Sequence, residues 1–313
     1  MTTPDQKDEE VFAQLVKLSQ APEQGRSAHW EQMLQAYSVT DQTFSGLNGF
    51  GRHLPRSAPS ALANFIMQTP FRRMGSRFPR FNMIHTLGRG LARRQNRLFD
   101  LDILRQVLTA SLIDQHLDLA RLPGPVLVIG DGFGALTALM LALLPGKSVM
   151  LINLAPVLLV DLVYARRVMP EVGLHLVDSR EQLDAALIDK RQSIIALRAD
   201  SQELLGHAPV SLALNVASMQ EMHPEIIENY FHVLRACPTN ETYIYCANRL
   251  RKTLPDGTVT EFQAYPWRAE DQVLLDGLCP WHQRYYTIIP PKYRPYDGPI
   301  QHRLAKLGKN ADG

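Results

Sequence analysis

Short apolar runs alternate with helical segments beyond residue 125. Runs rich in Val, Ile and Leu recur, each followed by a stretch with apolar residues three and four positions apart. The predicted strands are 126–130, 148–153, 174–177, 193–198, 210–215, 242–248 and 284–289, and the predicted helices are 134–144, 156–168, 179–188 and 224–236. Apolar runs this short are typical of strands buried on both faces. The alternation predicts an α/β fold with a doubly wound, mostly parallel sheet.

The N-terminal part shows helical spacing over two long stretches. The first covers 11–37, with a break around 22–25. The second covers 97–119, where Asp100 is a candidate N-cap because its carboxylate can accept a hydrogen bond from the first turn. Residues 1–10 are polar, and we expect them to be frayed.

Between these stretches, residues 43–90 are rich in Gly, Pro, Ser and Arg and lack a long apolar period. This composition predicts an irregular segment with short helices, which is a candidate lid. We therefore divide the chain into a helical, arginine-rich N-terminal region, 1–120, and an α/β domain, 121–313.

Charge is unevenly distributed, although the formal net charge is only +2. The window 42–99 contains no Asp or Glu. It contains ten arginines: Arg52, Arg56, Arg72, Arg73, Arg77, Arg80, Arg89, Arg93, Arg94 and Arg97. Two interpretations stay open. The arginines can attract an anionic partner, with a phosphate-bearing substrate ahead of a membrane surface, or they can pair with acidic residues of the same chain. Nucleic acid is not the expected partner.

Composition argues against secretion and membrane insertion. The N-terminus lacks the basic and then apolar pattern of a secretory signal. The longest apolar stretch, 135–163, is interrupted at 145–147, which leaves halves shorter than the ~20 residues of a spanning helix. Cys237, Cys246 and Cys279 form no CxxC pair, so neither a disulfide framework nor a zinc knuckle is expected. We expect a cytoplasmic protein.

Three alternating glycines follow the first predicted strand, at Gly130, Gly132 and Gly134. Glycine allows a sharp turn and lets a ligand approach the backbone closely. A glycine turn between a strand and a helix is the place where nucleotide-like cofactors bind. Because Gly130, Gly132 and Ala135 also satisfy GxGxxA, the turn alone does not choose the cofactor.

The end of the second strand bears on that choice. Dinucleotide sites usually place an acidic residue about 20 residues after the glycines, where it binds the ribose hydroxyls. This chain has Asn153 there, and Leu154-Ala155-Pro156 offers no arginine for a 2′-phosphate.

Several motifs carry a family resemblance over roughly 95–290. The turn Ile-Gly-Asp-Gly-Phe-Gly at 129–134 resembles motif I of class I S-adenosylmethionine-dependent methyltransferases. The block Asn-Val-Ala-Ser-Met-Gln-Glu-Met at 215–222, Tyr-Cys-Ala-Asn-Arg at 245–249 and Tyr-Pro-Trp at 265–267 resemble the sugar O-methyltransferase family of bacterial glycan and polysaccharide biosynthesis. One departure is Asn153-Leu-Ala-Pro, where that family usually has Asp-Leu-Pro-Glu.

The resemblance implies a Rossmann-like class I methyltransferase fold for 121–313 and S-adenosylmethionine as cofactor. The residues it assigns to the cofactor are Gly130, Asp131, Gly132, Gly134, Asn153, Leu154, Asp200, Asn215 and Ser218. Asp178 is an alternative to Asp200 for the adenine amine. We expect no metal, because no Asp or His cluster has ligand spacing.

Methyl transfer to a hydroxyl requires alignment and a base that takes the hydroxyl proton. Glu221 and His223 are the candidates, because they follow the predicted strand 210–215 at the cofactor edge of the sheet. The acceptor implied is a sugar or glycan hydroxyl, with or without a phosphate. The residues assigned to it are Asn248, Arg249, Lys252, Tyr265 and Trp267.

Two other functions remain open. One is an NAD(P)-dependent oxidoreductase that uses the GxGxxA turn. The other is a catalytically degenerate methyltransferase fold that acts as a binding or scaffold protein. The sequence also leaves open whether the chain forms a homo-oligomer.

Overall fold

The computed structural model describes residues 4–20, 27–35, 38–40, 43–45 and 57–310. The predicted break at 22–25 and the arginines Arg52 and Arg56 lie outside the described residues. The helices are α1 (Pro4–Ser19), α2 (Ala28–Leu34), α3 (Ala58–Met67), α4 (Thr69–Gly75), α5 (Phe81–Arg94), α6 (Leu101–Leu117), α7 (Ala135–Leu143), α8 (Ala155–Val168), α9 (Arg180–Ile188) and α10 (Pro224–Ala236).

The strands include those of one large sheet and three two-stranded ribbons. They are β1 (Ser38–Thr40), β2 (Thr43–Ser45), β3 (Val126–Ile129), β4 (Val149–Asn153), β5 (Gly173–Val177), β6 (Ser193–Arg198), β7 (Leu212–Val216), β8 (Tyr243–Arg249), β9 (Arg251–Thr253), β10 (Val259–Glu261), β11 (Gln272–Leu278), β12 (Arg284–Ile288), β13 (Pro291–Pro295) and β14 (Ile300–Lys306). The ribbons pair β1 with β2, β9 with β10 and β12 with β13.

The large sheet has eight strands in the order β11-β14-β8-β7-β3-β4-β6-β5. The six strands from β8 to β5 are parallel, whereas β14 runs antiparallel to both β8 and β11. Ile129 at the end of β3 lies opposite Ile152 on β4 and Asn215 on β7. The carboxyl ends of these three strands therefore meet at one edge. The predicted doubly wound, Rossmann-like α/β fold is confirmed.

Alternate side chains of each central strand enter two separate apolar layers. Val126 and Val128 pack in the layer that holds α5, α6, α7 and α8. Leu127 and Ile129 pack in the other layer, against α9 and α10. All four side chains are buried, so β3 is covered on both faces as its apolar run predicted.

Helices of the N-terminal region pack in the same apolar layer as Val126 and Val128. On α1, Phe12 and Leu15 belong to the same buried cluster as the sheet residues, and Asp8 forms an ion pair of 2.6 Å with Arg166 on α8. Helix α6 begins after Asp100, whose carboxylate accepts a hydrogen bond from the backbone N–H of Ile103 at 3.0 Å, as predicted for an N-cap. The division of the chain at residue 120 stays a prediction.

The expectation of frayed residues 1–10 was wrong for residues 4–10, which belong to α1, and residues 1–3 lie outside the described residues. In the segment 43–90, predicted to be irregular with short helices, the described residues 57–90 form α3, α4 and most of α5, so the short helices are confirmed and the expected irregular structure was wrong for this stretch. Two of its glycines serve close packing. A Cβ on Gly88 would lie 2.6 Å from Val107 Cγ2, and one on Gly75 would lie 2.2 Å from the Phe81 ring.

The predicted last strand pairs elsewhere. Arg284–Ile288 forms a ribbon with β13, and the sheet is completed by β14 and β11, which the apolar pattern did not indicate. The reason is that β14 buries polar side chains with partners. His302 Nδ1 lies 3.0 Å from the Tyr245 hydroxyl, and Gln301 Nε2 donates to Asp276. Within the described residues, no helix combines the length and the apolar character needed to cross a bilayer.

Candidate functional site

The glycine turn after β3 requires glycine at each of its three positions. Gly130, Gly132 and Gly134 have φ angles of 71°, 86° and 66°, in the left-handed region that L side chains rarely adopt. A Cβ on Gly130 would lie 2.3 Å from Ser218 Oγ, and one on Gly134 would lie 2.5 Å from the Asp161 carbonyl oxygen. The turn is therefore in close contact with the loop after β7 on one side and with α8 on the other.

Asp131 within this turn caps α7. Its two carboxylate oxygens accept hydrogen bonds from the backbone N–H groups of Leu136 at 3.0 Å and Thr137 at 2.6 Å. Burial raises the pKa of Asp131, and the two N–H bonds oppose that shift. The cap thus occupies N–H groups at the start of α7 that would otherwise attract an anion.

Asp161 on α8 holds the turn from behind. It is fully buried, and its Oδ1 accepts a hydrogen bond from the Gly134 N–H at 2.9 Å. Its Oδ2 accepts one from Asn153 Nδ2 at 2.8 Å, while Asn153 Oδ1 accepts from the Leu154 N–H at 2.9 Å. Burial, followed by the charge of Asp131, raises the pKa of Asp161 well above its ordinary value.

A cavity of about 400 Å³ opens at this edge of the sheet. Its walls come from the glycine turn, the end of β4, the loop after β7, and helices α2 and α10. The lining residues are Ser27, His29, Trp30, Met33, Gly130, Asp131, Gly132, Phe133, Ile152, Asn153, Leu154, Val157, Ala199, Val216, Ala217, Ser218, Glu221, Met222, Ile226 and Tyr230. Most of them are apolar, which makes the cavity suited to a small organic molecule with few polar groups.

Glu221 is the ionisable residue of the β7 loop that reaches the cavity. Burial raises its pKa to about 7, although Lys252 and Arg249 lower it in part. Glu221 Oε2 lies 3.6 Å from Nε2 of His29, whose pKa is lowered by burial and by the same two cations. A carboxylate with a pKa near neutrality, next to a neutral imidazole, can accept a proton at physiological pH.

A buried hydrogen-bond network fixes the loop that carries Glu221. Asn215 Nδ2 donates to the Ile129 carbonyl at 3.1 Å and to Ser218 Oγ at 2.6 Å. Asn248 Nδ2 donates to Asn215 Oδ1 at 2.8 Å, and Asn248 Oδ1 accepts from the Gln220 N–H at 3.0 Å. Asn215 and Asn248 are fully buried and position the loop, whereas Ser218 also lines the cavity.

Other predicted site residues lie outside the cavity lining. His223 is the N-cap position of α10, and its Nε2 lies 3.3 Å from an Asp256 carboxylate oxygen. Asp200 pairs with Arg198 at 3.0 Å. Arg249 pairs with the exposed carboxylate of Asp297 at 3.2 Å. Gly134 and Lys252 are also absent from the lining, although Lys252 acts on the pKa of Glu221.

The predicted sugar-stacking aromatics are part of an apolar layer. Trp267 donates from Nε1 to the Phe262 carbonyl at 3.0 Å and packs edge-on against Phe231, with ring centroids 4.8 Å apart. Tyr265 is buried in the same layer. Neither residue lines the cavity.

The structure therefore brings seven of the predicted site residues together at one cavity: Gly130, Asp131, Gly132, Asn153, Leu154, Ser218 and Glu221. Sequence reasoning missed His29, Trp30 and Met33 of α2, because helical spacing does not say which distant surface a helix covers. It also missed Asp161. A lone acidic residue in the apolar helix α8 is the signal that could have found it.

No family model and no curated protein matches the sequence. Among solved structures, magnesium protoporphyrin IX methyltransferase from Synechocystis PCC 6803, solved with bound SAH, is 11% identical with a TM-score of 0.39, over 67% of this chain and 85% of that chain. The 1,6-didemethyltoxoflavin-N1-methyltransferase from Burkholderia thailandensis is 16% identical with a TM-score of 0.39, over 82% of this chain and 93% of that chain. These scores are low, so a function has to be argued from the site. None of these matches supports a sugar O-methyltransferase in particular.

Proposed function

We propose that this chain is an S-adenosylmethionine-dependent methyltransferase that acts on a hydroxyl group. The observation that carries the proposal is the joint presence, at one cavity, of a three-glycine turn and a carboxylate with a pKa of about 7. The cavity of about 400 Å³ falls within the range of roughly 300–1,000 Å³ that small-molecule sites occupy.

The residues fit this cofactor better than a dinucleotide. A dinucleotide places its pyrophosphate on free N–H groups at the start of the helix after the glycine turn. Here Asp131 occupies the N–H groups of Leu136 and Thr137 and adds an acidic group at that point. Asp161 occupies the Gly134 N–H as well. The start of α7 therefore offers few free N–H groups to an anionic pyrophosphate, whereas a sulfonium cation does not need them. This argues against the NAD(P)-dependent alternative.

Within the site, the glycine turn, Leu154 and Val157 would hold the cofactor, which supplies an activated methyl group when bound. Asn153 lies in the same wall, with its amide already engaged by Asp161 and by the Leu154 N–H. Its second Nδ2 hydrogen and the second lone pair of Oδ1 remain as contacts for a ribose. Because its two observed hydrogen bonds both go to protein groups, we assign Asn153 mainly to holding the turn.

Glu221 is the proposed general base. It would accept the proton of the acceptor hydroxyl, while the bound cofactor would supply the methyl group. The His29 imidazole lies 3.6 Å from this carboxylate, and the network of Asn215, Ser218 and Asn248 keeps the loop fixed. His223 is the weaker candidate, because its imidazole faces Asp256 outside the cavity lining.

A sugar hydroxyl is the acceptor that we propose. Trp30 lines the cavity and is half-buried, and an aromatic face of this kind can stack on the apolar face of a sugar ring. Lys252 and Arg249 lower the pKa of both Glu221 and His29, which supports the proposal that they would face a phosphate or carboxylate on the acceptor. In this proposal Trp30 takes the role that the sequence assigned to Tyr265 and Trp267.

The test is transfer of labelled methyl from S-adenosylmethionine to a panel of nucleotide sugars and sugar phosphates. We expect label in at least one sugar, and a loss of transfer in Glu221→Gln. His223→Gln serves as the matched control and should retain transfer. Binding of the cofactor without transfer to any hydroxyl compound would overturn the proposed reaction and favour the scaffold alternative.

A further inference from the structure

Two segments without acidic residues pack together on a surface that the proposed reaction does not use. One is 57–99, the continuous described part of the acid-free window 42–99, and the other is 277–296, which contains β12 and β13. The Tyr286 hydroxyl donates to Asn64 Oδ1 on α3 at 2.6 Å, and the Tyr293 hydroxyl donates to the Met67 carbonyl at 2.7 Å. We call the surface formed by α3, α4, α5 and the β12–β13 ribbon the basic face.

Helix α3 exposes an apolar stripe on the basic face. Leu62, Phe65 and Ile66 are 62%, 52% and 59% exposed. Their spacing of three and four residues places them on one side of the helix. Large apolar side chains that are exposed together are unusual on a protein surface and mark an interaction site.

A second, small cavity of about 90 Å³ lies directly beside this stripe, and Phe65 belongs to both. Among its described lining residues, three are arginines, Arg89, Arg93 and Arg97, and none is acidic. Arg97 is only 2% exposed. One of its nitrogens donates to Asp100 at 3.1 Å, but Nε has no partner among the described residues.

An unpartnered guanidinium nitrogen in a pocket with two further arginines is suited to an anion. Arginine presents a planar set of donors that matches the oxygens of a phosphate group. The cavity also contains His85, whose pKa is lowered to about 4 by burial, then by Arg89 and Arg72, so that it stays neutral. The geometry thus combines a phosphate-sized basic pocket with an adjacent exposed apolar stripe.

We propose that the basic face binds the surface of an anionic membrane. The cavity of Arg89, Arg93 and Arg97 takes the phosphate of a lipid headgroup, and Leu62, Phe65 and Ile66 enter the apolar boundary beneath the headgroups. A free phosphate would have no use for the apolar stripe, whereas a lipid satisfies both features. The ribbon adds Arg284, Lys292 and Arg294, and Ile289 at its turn is 91% exposed.

The test is co-sedimentation of the full chain with vesicles of phosphatidylcholine, with and without phosphatidylglycerol. We expect binding only to the phosphatidylglycerol vesicles, weakened by salt. Replacing Arg89 and Arg93 by Glu together should weaken it by at least about tenfold. Replacing Leu62, Phe65 and Ile66 together by Ser should also weaken it, with unchanged binding of S-adenosylhomocysteine.

Two exposed residues outside the basic face supply controls. Arg121→Glu removes a cation that is 87% exposed, and Ile188→Ser removes an apolar side chain that is 80% exposed. Both should retain vesicle binding. Equal binding to both kinds of vesicle would overturn the proposal. So would calorimetric binding of inorganic phosphate, or of single-stranded nucleic acid, that needs the arginines while no vesicle binds.

Discussion

The Nδ2 atom of Asn153 donates a hydrogen bond of 2.8 Å to Oδ2 of the fully buried Asp161. This bond gives a physical reason for an amide at the end of β4. The acidic group is present in the site, but it is supplied by α8 and supports the glycine turn through the Gly134 N–H. A carboxylate at position 153 would face the carboxyl group of Asp161 and would have no N–H group to donate to it.

We therefore predict that Asn153→Asp weakens the protein. The two carboxyl groups would repel each other in a buried place, and Asp161 would lose a donor, at a cost of about 2 kcal/mol or more in the free energy of unfolding. A carboxyl whose pKa is raised by folding lowers stability as pH rises above its unfolded pKa. The decrease in the free energy of unfolding should thus be larger at about pH 8 than at about pH 5.

Urea unfolding at the two pH values measures this effect, with the exposed Asp184→Asn as a control for surface charge. A variant Asn153→Asp as stable as the wild type, with tighter binding of S-adenosylhomocysteine, would show that position 153 binds the ribose instead.

The glycine turn provides a second prediction with a matched control. Gly134→Ala forces a left-handed alanine and a Cβ 2.5 Å from the Asp161 carbonyl oxygen. Gly146→Ala forces a similar φ of 81° but meets nothing within 4 Å. We expect about 1–2 kcal/mol of destabilisation at Gly146, and roughly 1–3 kcal/mol more at Gly134. Chemical denaturation compares the two, and equal losses would contradict the close packing of the turn on α8.

The pKa of Glu221 predicts a pH profile. A general base acts when deprotonated, so methyl transfer should rise with pH through about 7 and then level off. Glu221→Gln should lose about a hundredfold or more in kcat. The carboxyl titration can also be followed by ¹³C NMR, with Glu221→Gln to assign the signal. A Glu221 carboxyl that titrates near its ordinary value would argue against its burial at the cavity.

Removal of a cation near Glu221 should shift the pH profile of methyl transfer. Lys252 lowers the pKa of Glu221, so Lys252→Met should raise it and shift the rising part of the profile to higher pH. Lys190→Met removes an exposed cation from the loop after α9 and should leave the profile in place. An unchanged titration of Glu221 in Lys252→Met would mean that Lys252 does not act on this carboxylate.

The sequence was sufficient for the central parallel strands β3, β4, β6 and β7 because they are buried on both faces and consist mostly of apolar residues. It was insufficient for β14, where His302 and Gln301 are buried with polar partners. At the site, spacing led to the turn and to Glu221 and His223 alike. Only tertiary burial separates these two, since one lines the cavity and the other pairs with Asp256.

The cavity-lining residues of α2 could not be predicted from sequence patterns. His29 lies 3.6 Å from Glu221 but almost two hundred residues away along the chain. No local period links them, because their contact depends on how α2 lies across the carboxyl edge of the sheet. Asp161 was overlooked for a related reason, since its partners Gly134 and Asn153 belong to other elements.

The central claim is that the glycine turn holds S-adenosylmethionine. Calorimetric titration of the full chain with S-adenosylhomocysteine, and separately with NADH and NADPH, tests it most directly. We predict one binding site for S-adenosylhomocysteine, weakened by Gly130→Ala and retained in Gly146→Ala, with no response to either dinucleotide. Binding of NADH or NADPH without binding of S-adenosylhomocysteine would contradict the claim.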